Sequence, residues 1–450
     1  MTSLPAEFGR GQGDGVGSTP MPDGTGRYVL VLADAVHGDE KTMRAALKSV
    51  AGISSVASAT DFADGAVDVA QTGNADATLF PALGIAVVGG DPDRLASLNA
   101  AASEDERIES IEPEGILYAV TQPTASTLDY LRGYRDAATE LYQHANGDGA
   151  GGTATVEVDV AAQFVDTAAF TWGLQATKAS TSQKNGQGVR VAMLDTGFDL
   201  KHADFIGRPI TAKSFVSGQT AQDGHGHGTH VTGTSSGPAK PPGGHRRYGI
   251  AYRDNIFIGK VLSNQGSGTD EQILAGIEWA IRNSCRVISM SLGKNVATPS
   301  PAYDKVGQRA LAAGSLIIAA AGNNANRPAN QFGFVIAPAN SLSIMAVGAL
   351  DSKLGMANFS ARSTVPGCNV DIVGPGVAVD SSWPMTINPK RYHIISGTSM
   401  ATPHVAGIAA LLSAATGATG LALWGLLVQT AQPLPLLSID VGAGLVQAPQ

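Results

Sequence analysis

Five short apolar runs in the second half of the chain constrain its fold more than any other feature. A helix is indicated between the second and third runs, where Thr269 and Gln272 stand at the spacing of a capping box. Strands that are apolar on both faces and alternate with helices form parallel sheets covered by helices on both sides. We therefore predict an α/β domain over residues 170–450. The five runs are VRVAMLD from Val189, NIFIGKVL from Asn255, VISMSL from Val287, LIIAAAG from Leu316 and SIMAVGAL from Ser343.

A smaller unit is predicted before this domain. Residues 1–26 are polar and rich in glycine, which indicates a flexible N-terminus. A strand-like run from Arg27 is followed by a helical pattern from Asp39, a second strand and helix, and extended sequence from Arg107 to Val120. This order predicts a small α+β domain of the split βαβ, ferredoxin-like type over residues 27–120.

Residues 121–169 are predicted to connect the two domains. Thr127 to Ala145 has the spacing of a helix, and the segment NGDGAGG, Asn146 to Gly152, has the glycine content of a flexible linker.

Composition argues against several classes of partner. The net charge is -8 and the largest basic cluster is His245-Arg246-Arg247, so we expect no nucleic-acid binding. The segment from His404 to Val428 has no acidic or basic side chain apart from its first histidine, but its TGATG sequence indicates a break between two shorter buried helices. We therefore expect no membrane span. Cys285 and Cys368 are too few for a disulfide framework and are predicted to be free.

Residues 1–26 lack the pattern of a secretory signal, a basic start followed by an apolar stretch. A cytoplasmic location, secretion by a leaderless route and a trimmed start all stay open.

Three reactive side chains stand where a parallel sheet places its working groups, just past the carboxyl ends of strands. Asp195 ends the first apolar run, His227 lies in the stretch DGHGHGTHVTG, and Ser399 opens an apolar helix. An aspartate, a histidine and a serine in this order match one arrangement of the Ser-His-Asp triad, in which imidazole activates the serine hydroxyl and the carboxylate orients the imidazole. Asn323, at the end of the fourth run, is a candidate second donor to the oxyanion beside the backbone N–H of Ser399.

These motifs together resemble the subtilisin-like serine proteases, the subtilases. The resemblance rests on DTG at Asp195, HGTHVTG from His227, AAAGN ending at Asn323 and GTSMATPHVAG around Ser399, with the ending GAGLVQA from Gly442. It implies that Asp195 orients, His227 is the general base, Ser399 is the nucleophile and Asn323 is the oxyanion donor.

The resemblance also implies a substrate cleft and an inhibitor. Gly266, Ser267 and Gly268, and Ser291, Leu292 and Gly293, match the two segments that pair with substrate backbone as added strands. Lys294 follows the second segment, and His225 lies at the edge of the cleft. Residues 27–120, in element order and in the segment ESIEPEGILYAV, resemble the propeptide that helps a subtilase to fold and then occupies its cleft.

A zinc site and a calcium site are alternative interpretations of two different sets of residues. The crowding of His225, His227 and His230 suits zinc, although Thr229 stands where a related zinc motif has aspartate. Asp199, Asp204 and Asp223 are calcium candidates, and Asp204 matches a calcium ligand of the subtilases. The loop that should complete that site, Gly237 to Gly249, has prolines and cations in place of oxygen donors, so calcium binding is doubtful and no cofactor is required for catalysis.

We also predict the residue preference. Ile336 stands where subtilases often have a small residue in the floor of the specificity pocket, and Lys294 is placed near its mouth. Both features indicate a shallow pocket that disfavours large aromatic or basic residues before the scissile bond.

The sequence therefore predicts a serine endopeptidase made as a self-processing zymogen, whose partners are protein or peptide substrates and its own N-terminal propeptide. A peptide ligase or cyclase on the same triad is an alternative, but it would need a cap that excludes water, and the catalytic region has no large insertion to provide one. A silent module that captures peptides by strand addition is a third possibility, against which the intact triad argues.

Overall fold

The computed structural model describes residues 25–49, 53–62, 65–69, 71–73, 75–89, 98–100, 104–120 and 164–450. The predicted helix from Thr127 to Ala145, the linker from Asn146 to Gly152 and nearly all of the predicted flexible N-terminus lie outside these ranges.

The N-terminal unit is a five-stranded sheet in the order β2-β3-β4-β1-β5, with one long helix described. Strand β4 lies between β1 and β3 and is antiparallel to both, so β1 and β3 run in the same direction with one strand between them. This is the split βαβ arrangement that the order of elements predicts. The elements are β1 (Arg27–Leu32), α1 (Glu40–Ser49), β2 (Val56–Ser58), β3 (Ala77–Phe80), β4 (Ile85–Gly89) and β5 (Ile108–Pro113).

The two faces of this sheet have different partners. Leu30 and Leu32 on β1 pack with Met43 and Leu47 of α1 in a core of their own. Val29 and Val31 point to the other face, since successive side chains of a strand alternate, and belong to the main hydrophobic core of the molecule. The small sheet is therefore packed between its own helix and the larger part of the chain.

The larger part is built on a seven-stranded sheet in which every neighbouring pair is parallel, as the five apolar runs predict. Its order is β15-β14-β13-β11-β7-β9-β8, and helices cover both faces. Its strands are β7 (Arg190–Asp195), β8 (Ile210–Ser214), β9 (Asn255–Lys260), β11 (Val287–Met290), β13 (Leu316–Ala320), β14 (Met345–Leu350) and β15 (Ile372–Pro375). The helices are α2 (Trp172–Ala176), α3 (His227–Ser236), α4 (Asp270–Arg282), α5 (Pro301–Ala312), α6 (Thr398–Thr416), α7 (Gly420–Thr430) and α8 (Ser438–Val441).

Two small sheets complete the fold. One joins β6 (Ile116–Ala119), from the end of the N-terminal unit, to β10 (Ser267–Thr269) and β12 (Leu292–Gly293). The other is a ribbon of β16 (Val379–Ser382) and β17 (Tyr392–Ile395).

Local sequence signals are found where predicted. Helix α4 begins with the capping box, since the Thr269 side chain accepts from the backbone of Gln272 and the Gln272 side chain accepts from the backbone of Thr269. Cys285 and Cys368 are free and buried.

The apolar C-terminal segment divides into α6 and α7, whose axes bend by 108° at the predicted break. No single helix in the described ranges is long and apolar enough to cross a bilayer. Only α6 is buried over most of its length. Helix α7 differs from the prediction of two buried helices because only one side of it packs on the core, which leaves Leu421 68% exposed.

Candidate active site

Asp195 and His227 form a buried pair at the carboxyl edge of the main sheet. Asp195 is the last residue of β7, and His227 is the first residue of α3. The strand order of the sheet changes direction at β7, since both of its neighbours, β9 and β11, come later in the chain. His227 Nδ1 lies 2.7 Å from Asp195 Oδ1, which also accepts the backbone N–H of Thr196 at 2.7 Å. Among the described residues, His227 Nε2 has no hydrogen-bond partner. The imidazole is therefore oriented by a carboxylate on one side and free to take a proton on the other.

A second carboxylate, Asp223, holds the turn that carries His227. It is 1% exposed. It accepts hydrogen bonds from the hydroxyls of Thr196 and Thr229 at 2.9 and 2.7 Å and from the backbone N–H groups of His225, Gly226 and Thr229 at 2.9 Å each. Sequence reasoning missed this role and gave Asp223 only as a calcium candidate. The available signal was an aspartate just before a glycine-rich turn that opens a helix, since such residues cap helix N-termini.

Ser399 and Asn323 meet at one carbonyl oxygen, that of Val120. The Ser399 hydroxyl lies 2.5 Å from it, and Asn323 Nδ2 donates to it at 3.0 Å. The amide of Asn323 is oriented by its own oxygen, which accepts the N–H and the hydroxyl of Thr398 at 2.9 Å each. Ser399 is the second residue of α6, so its backbone N–H is among those that a helix leaves without an internal acceptor. The hydroxyl of Ser399 faces the Val120 carbonyl and not His227.

The residues before Val120 lie in the cleft as an added strand. β6 is antiparallel to β10 on one side and to β12 on the other, which are the two segments predicted to bind substrate backbone. The N–H of Ala119 donates to Gly266 O at 2.9 Å, and the N–H of Val120 donates to Ser291 O at 3.2 Å. The registers are Ser267 with Tyr118, Gly268 with Leu117, Leu292 with Ala119 and Gly293 with Tyr118.

His225 and Lys294 lie at different points along this strand. His225 borders the cleft at Gly266, where an added Cβ would lie 3.0 Å from His225 Nε2. The ammonium group of Lys294 lies directly beside Gly115, five residues before Val120. The predicted cation near the mouth of the pocket is therefore at the other end of the added strand, because the Lys294 side chain extends away from Ser399.

The remaining histidines of the motifs are packed and neutral. His230 is fully buried with Nε2 3.0 Å from the carbonyl oxygen of Val379, and burial lowers its pKa to about 3. His404 Nδ1 donates to Met400 O at 2.8 Å, and burial lowers its pKa to about 4. In the part of the chain that the structure describes, no three His, Cys, Asp or Glu side chains are arranged to hold one metal ion. The zinc alternative therefore finds no support in this geometry.

The side chain of Asp204 does not fit the calcium role that the resemblance implies. Its carboxylate accepts the hydroxyl of Tyr248 at 2.6 Å and that of Tyr392 at 3.0 Å. Burial raises the pKa of Tyr248 well above its usual value, so this hydroxyl keeps its proton. The ring of His245 stacks on that of Tyr392 at 3.6 Å. Two hydroxyl protons thus point to the oxygens that would bind calcium.

The sequence matches a known family over this part of the chain. The sequence model described as "Subtilase family" matches residues 186–444. Subtilisin DY of Bacillus licheniformis is 39% identical over 241 residues, which are 53% of this chain and 81% of that protein. Subtilisin Savinase of Lederbergia lenta is 40% identical over 54% of this chain and 83% of its own length. The cuticle-degrading protease of Metarhizium anisopliae is 38% identical over 55% of this chain and 61% of its own length.

Proposed function

Because this chain belongs to the subtilase family of serine endopeptidases, we propose that it is a zymogen that cuts its own backbone between Val120 and Thr121. The observation that carries this proposal is the Val120 carbonyl, which lies 2.5 Å from the Ser399 hydroxyl and 3.0 Å from Asn323 Nδ2. The carbonyl oxygen thus lies on the predicted oxyanion donor, with the candidate nucleophile next to it.

The groups around this carbonyl have distinct roles in acyl transfer. His227 Nε2 takes the Ser399 proton as Oγ attacks Val120 C, and Asp195 stabilises the imidazolium that forms. The negative charge on the carbonyl oxygen is stabilised by Asn323 Nδ2 and the N–H of Ser399.

His227 then gives its proton to the departing backbone nitrogen of Thr121, which leaves Val120 as an ester of Ser399. Water, deprotonated by His227, attacks the ester carbon, releases the Val120 carboxylate and restores the Ser399 hydroxyl. Protein and peptide substrates follow the same route.

After the cut, residues 27–120 remain as a product that blocks the cleft. The strand β6 is held on both edges by β10 and β12. Val29 and Val31 keep the small sheet on the main core. The inhibition is therefore supported by contacts both at the cleft and far from it.

Intact-mass spectrometry of the purified protein followed over time tests this proposal. Wild type is expected to split into fragments whose masses place the first cut after Val120, while Ser399→Ala stays intact. Ser396→Ala, three residues away, is the matched control and should be processed like wild type. A wild-type chain that stays intact and that a fluorophosphonate probe does not label at Ser399 would overturn the proposal.

A further inference from the structure

The side chain of Val120 identifies the pocket that selects the residue before the scissile bond. It is 9% exposed and packs with Ala320, Ile336 and the partly buried Phe334 in a small apolar cluster separate from the main core. Because the Val120 carbonyl lies on Ser399, any substrate cut by Ser399 has to place its corresponding side chain in this cluster.

Ile336 fills the space between two glycines in this pocket. A Cβ on Gly293 would lie 2.5 Å from Ile336 Cδ1, and a Cβ on Gly322 would lie 2.9 Å from Ile336 Cγ2. Gly293 belongs to β12, which pairs with the added strand, and Gly322 follows β13 directly before Asn323. The open space that two glycines would leave beside the reacting carbonyl is therefore occupied by the isoleucine.

The isoleucine is fixed in place. Its N–H donates to Ala321 O and its carbonyl oxygen accepts the N–H of Asn340, both at 3.0 Å. It is 4% exposed, and a β-branched side chain has few rotamers to choose from. A larger substrate side chain could enter only by moving a side chain that packing and backbone hydrogen bonds hold.

Resting on the proposed function, we propose that Ile336 restricts this protease to substrates with a small aliphatic residue, valine or alanine, before the scissile bond. Phenylalanine and tyrosine exceed the space that Val120 fills. Lysine and arginine would bring a charge against Ala320, Ile336 and Phe334, none of which can pair with it. The nearby Lys294 does not contribute, because its ammonium group lies at Gly115.

The expected loss in kcat/KM follows from how far a substrate side chain exceeds the space that Val120 fills. One methylene too many or too few in a hydrophobic pocket changes kcat/KM by about 10- to 200-fold. We therefore expect wild type to cleave a valine peptide at least about tenfold more efficiently than the matched phenylalanine peptide.

The test measures kcat/KM of the processed enzyme on tetrapeptide anilides that differ only in the residue before the anilide: alanine, valine, phenylalanine or lysine. Ile336→Gly is expected to raise kcat/KM for phenylalanine at least about tenfold and to lower it for valine. Ile336→Ala, a milder truncation, provides the same comparison if the glycine variant does not fold. The control is Ile344→Ala, an equally buried isoleucine outside the pocket cluster, which should leave the ratio of valine to phenylalanine unchanged.

Two failures are distinguishable. If Ser399 is neither labelled by the fluorophosphonate probe nor active on any of the peptides, the proposed function itself fails. If Ser399 is labelled and wild type cleaves the phenylalanine peptide as well as the valine peptide, the pocket assignment is overturned and the protease assignment stands. An unchanged ratio in both Ile336 variants also overturns it.

Discussion

The carboxylate of Glu114, from the N-terminal unit, accepts the backbone N–H of Glu271, near the start of α4, at 2.9 Å. In return, the carboxylate of Asp270 accepts the N–H of Gly115 at 2.6 Å. Each part of the chain thus supplies a carboxylate to backbone groups of the other. Docking therefore brings acidic side chains from both parts together at one helix N-terminus.

This cluster predicts that the N-terminal unit binds more weakly as the pH rises. Burial raises the pKa of the Glu112 carboxyl group above its usual value. It raises the pKa of Asp270 to about 6 and that of Glu278, farther along α4, to about 7. Each carboxyl group therefore takes up protons on docking, so binding is strongest below its ordinary pKa of about 4 and weakens as the pH rises through 6 to 7. The charged and titratable groups that face these three carboxyl groups are Arg27, Glu114, Glu271, Arg282, Lys294 and Tyr303.

The measurement is the inhibition constant of the N-terminal fragment against processed enzyme between pH 5.5 and 8.5. Active sites are titrated at each pH, so that the concentration of active enzyme is known. We expect the constant to rise by up to about tenfold per pH unit for each proton taken up, until about pH 7, and to level off above that pH. Asp270→Asn should flatten this dependence. A constant that falls with rising pH would contradict the sign.

A second prediction concerns Arg309 on α5, which is 6% exposed. Its guanidinium donates to the backbone carbonyl of Leu83, to that of Leu32 at 2.7 Å and to the carboxylate of Asp34 at 2.9 Å. Arg309→Ala is expected to weaken docking by about 2–5 kcal/mol, because the two carbonyls lose a buried cationic partner. The same inhibition assay measures this loss. Peptide hydrolysis by the free enzyme should stay normal, and a large loss there would show that the residue acts on the enzyme itself.

A third prediction concerns Asp223, which holds the turn before His227. In Asp223→Asn an amide NH2 group replaces one carboxylate oxygen and cannot accept hydrogen bonds from the N–H groups that this oxygen faces. The turn therefore shifts, and His227 moves relative to Asp195. We expect kcat to fall about 100-fold. Asp199→Asn is the control, since Asp199 is equally buried but bonds elsewhere, including the N–H of Met385 at 3.0 Å. Equal losses in the two variants would argue against a specific role for Asp223.

A fourth prediction is that calcium does not stabilise this protein through Asp204. The hydroxyls of Tyr248 and Tyr392 already bond both oxygens of its carboxylate. In Ser399→Ala protein, which cannot digest itself, EDTA and added calcium should leave Tm unchanged. Tyr248→Phe should lower stability by about 1–3 kcal/mol, because a buried carboxylate oxygen loses a donor. A rise of several degrees in Tm on adding calcium would contradict this prediction.

Local sequence patterns were sufficient to predict the main sheet and the contact between Asp195 and His227. Asp195, His227 and Ser399 each stand at a strand end or a helix start that can be recognised within about ten residues. Parallel strands have their carboxyl ends at one edge, so recognising each element was enough to predict that these residues lie at the same edge of the sheet.

Contacts between distant segments could not be predicted in this way. Val120 and Ser399 are 279 positions apart, and Tyr392 and Asp204 are 188 apart. The resemblance to a propeptide predicts that residues 27–120 occupy the cleft, but it does not predict that the Val120 carbonyl is the one that lies on Ser399. That contact depends on how the N-terminal unit packs on the main core. The ammonium group of Lys294 lies away from the predicted pocket mouth for a related reason. The sequence motif predicts where the backbone of Lys294 lies but not the direction of its side chain.

In the zymogen that we propose, placing β6 and the cleft on one chain also fixes the relative amounts of enzyme and inhibitor. Each translated chain contains one cleft and one segment that fills it, so the two are synthesised in equal numbers at every level of expression. A higher rate of synthesis therefore yields more blocked protease and no excess of free protease. The amount of active enzyme is then controlled by how fast the N-terminal unit is removed and destroyed.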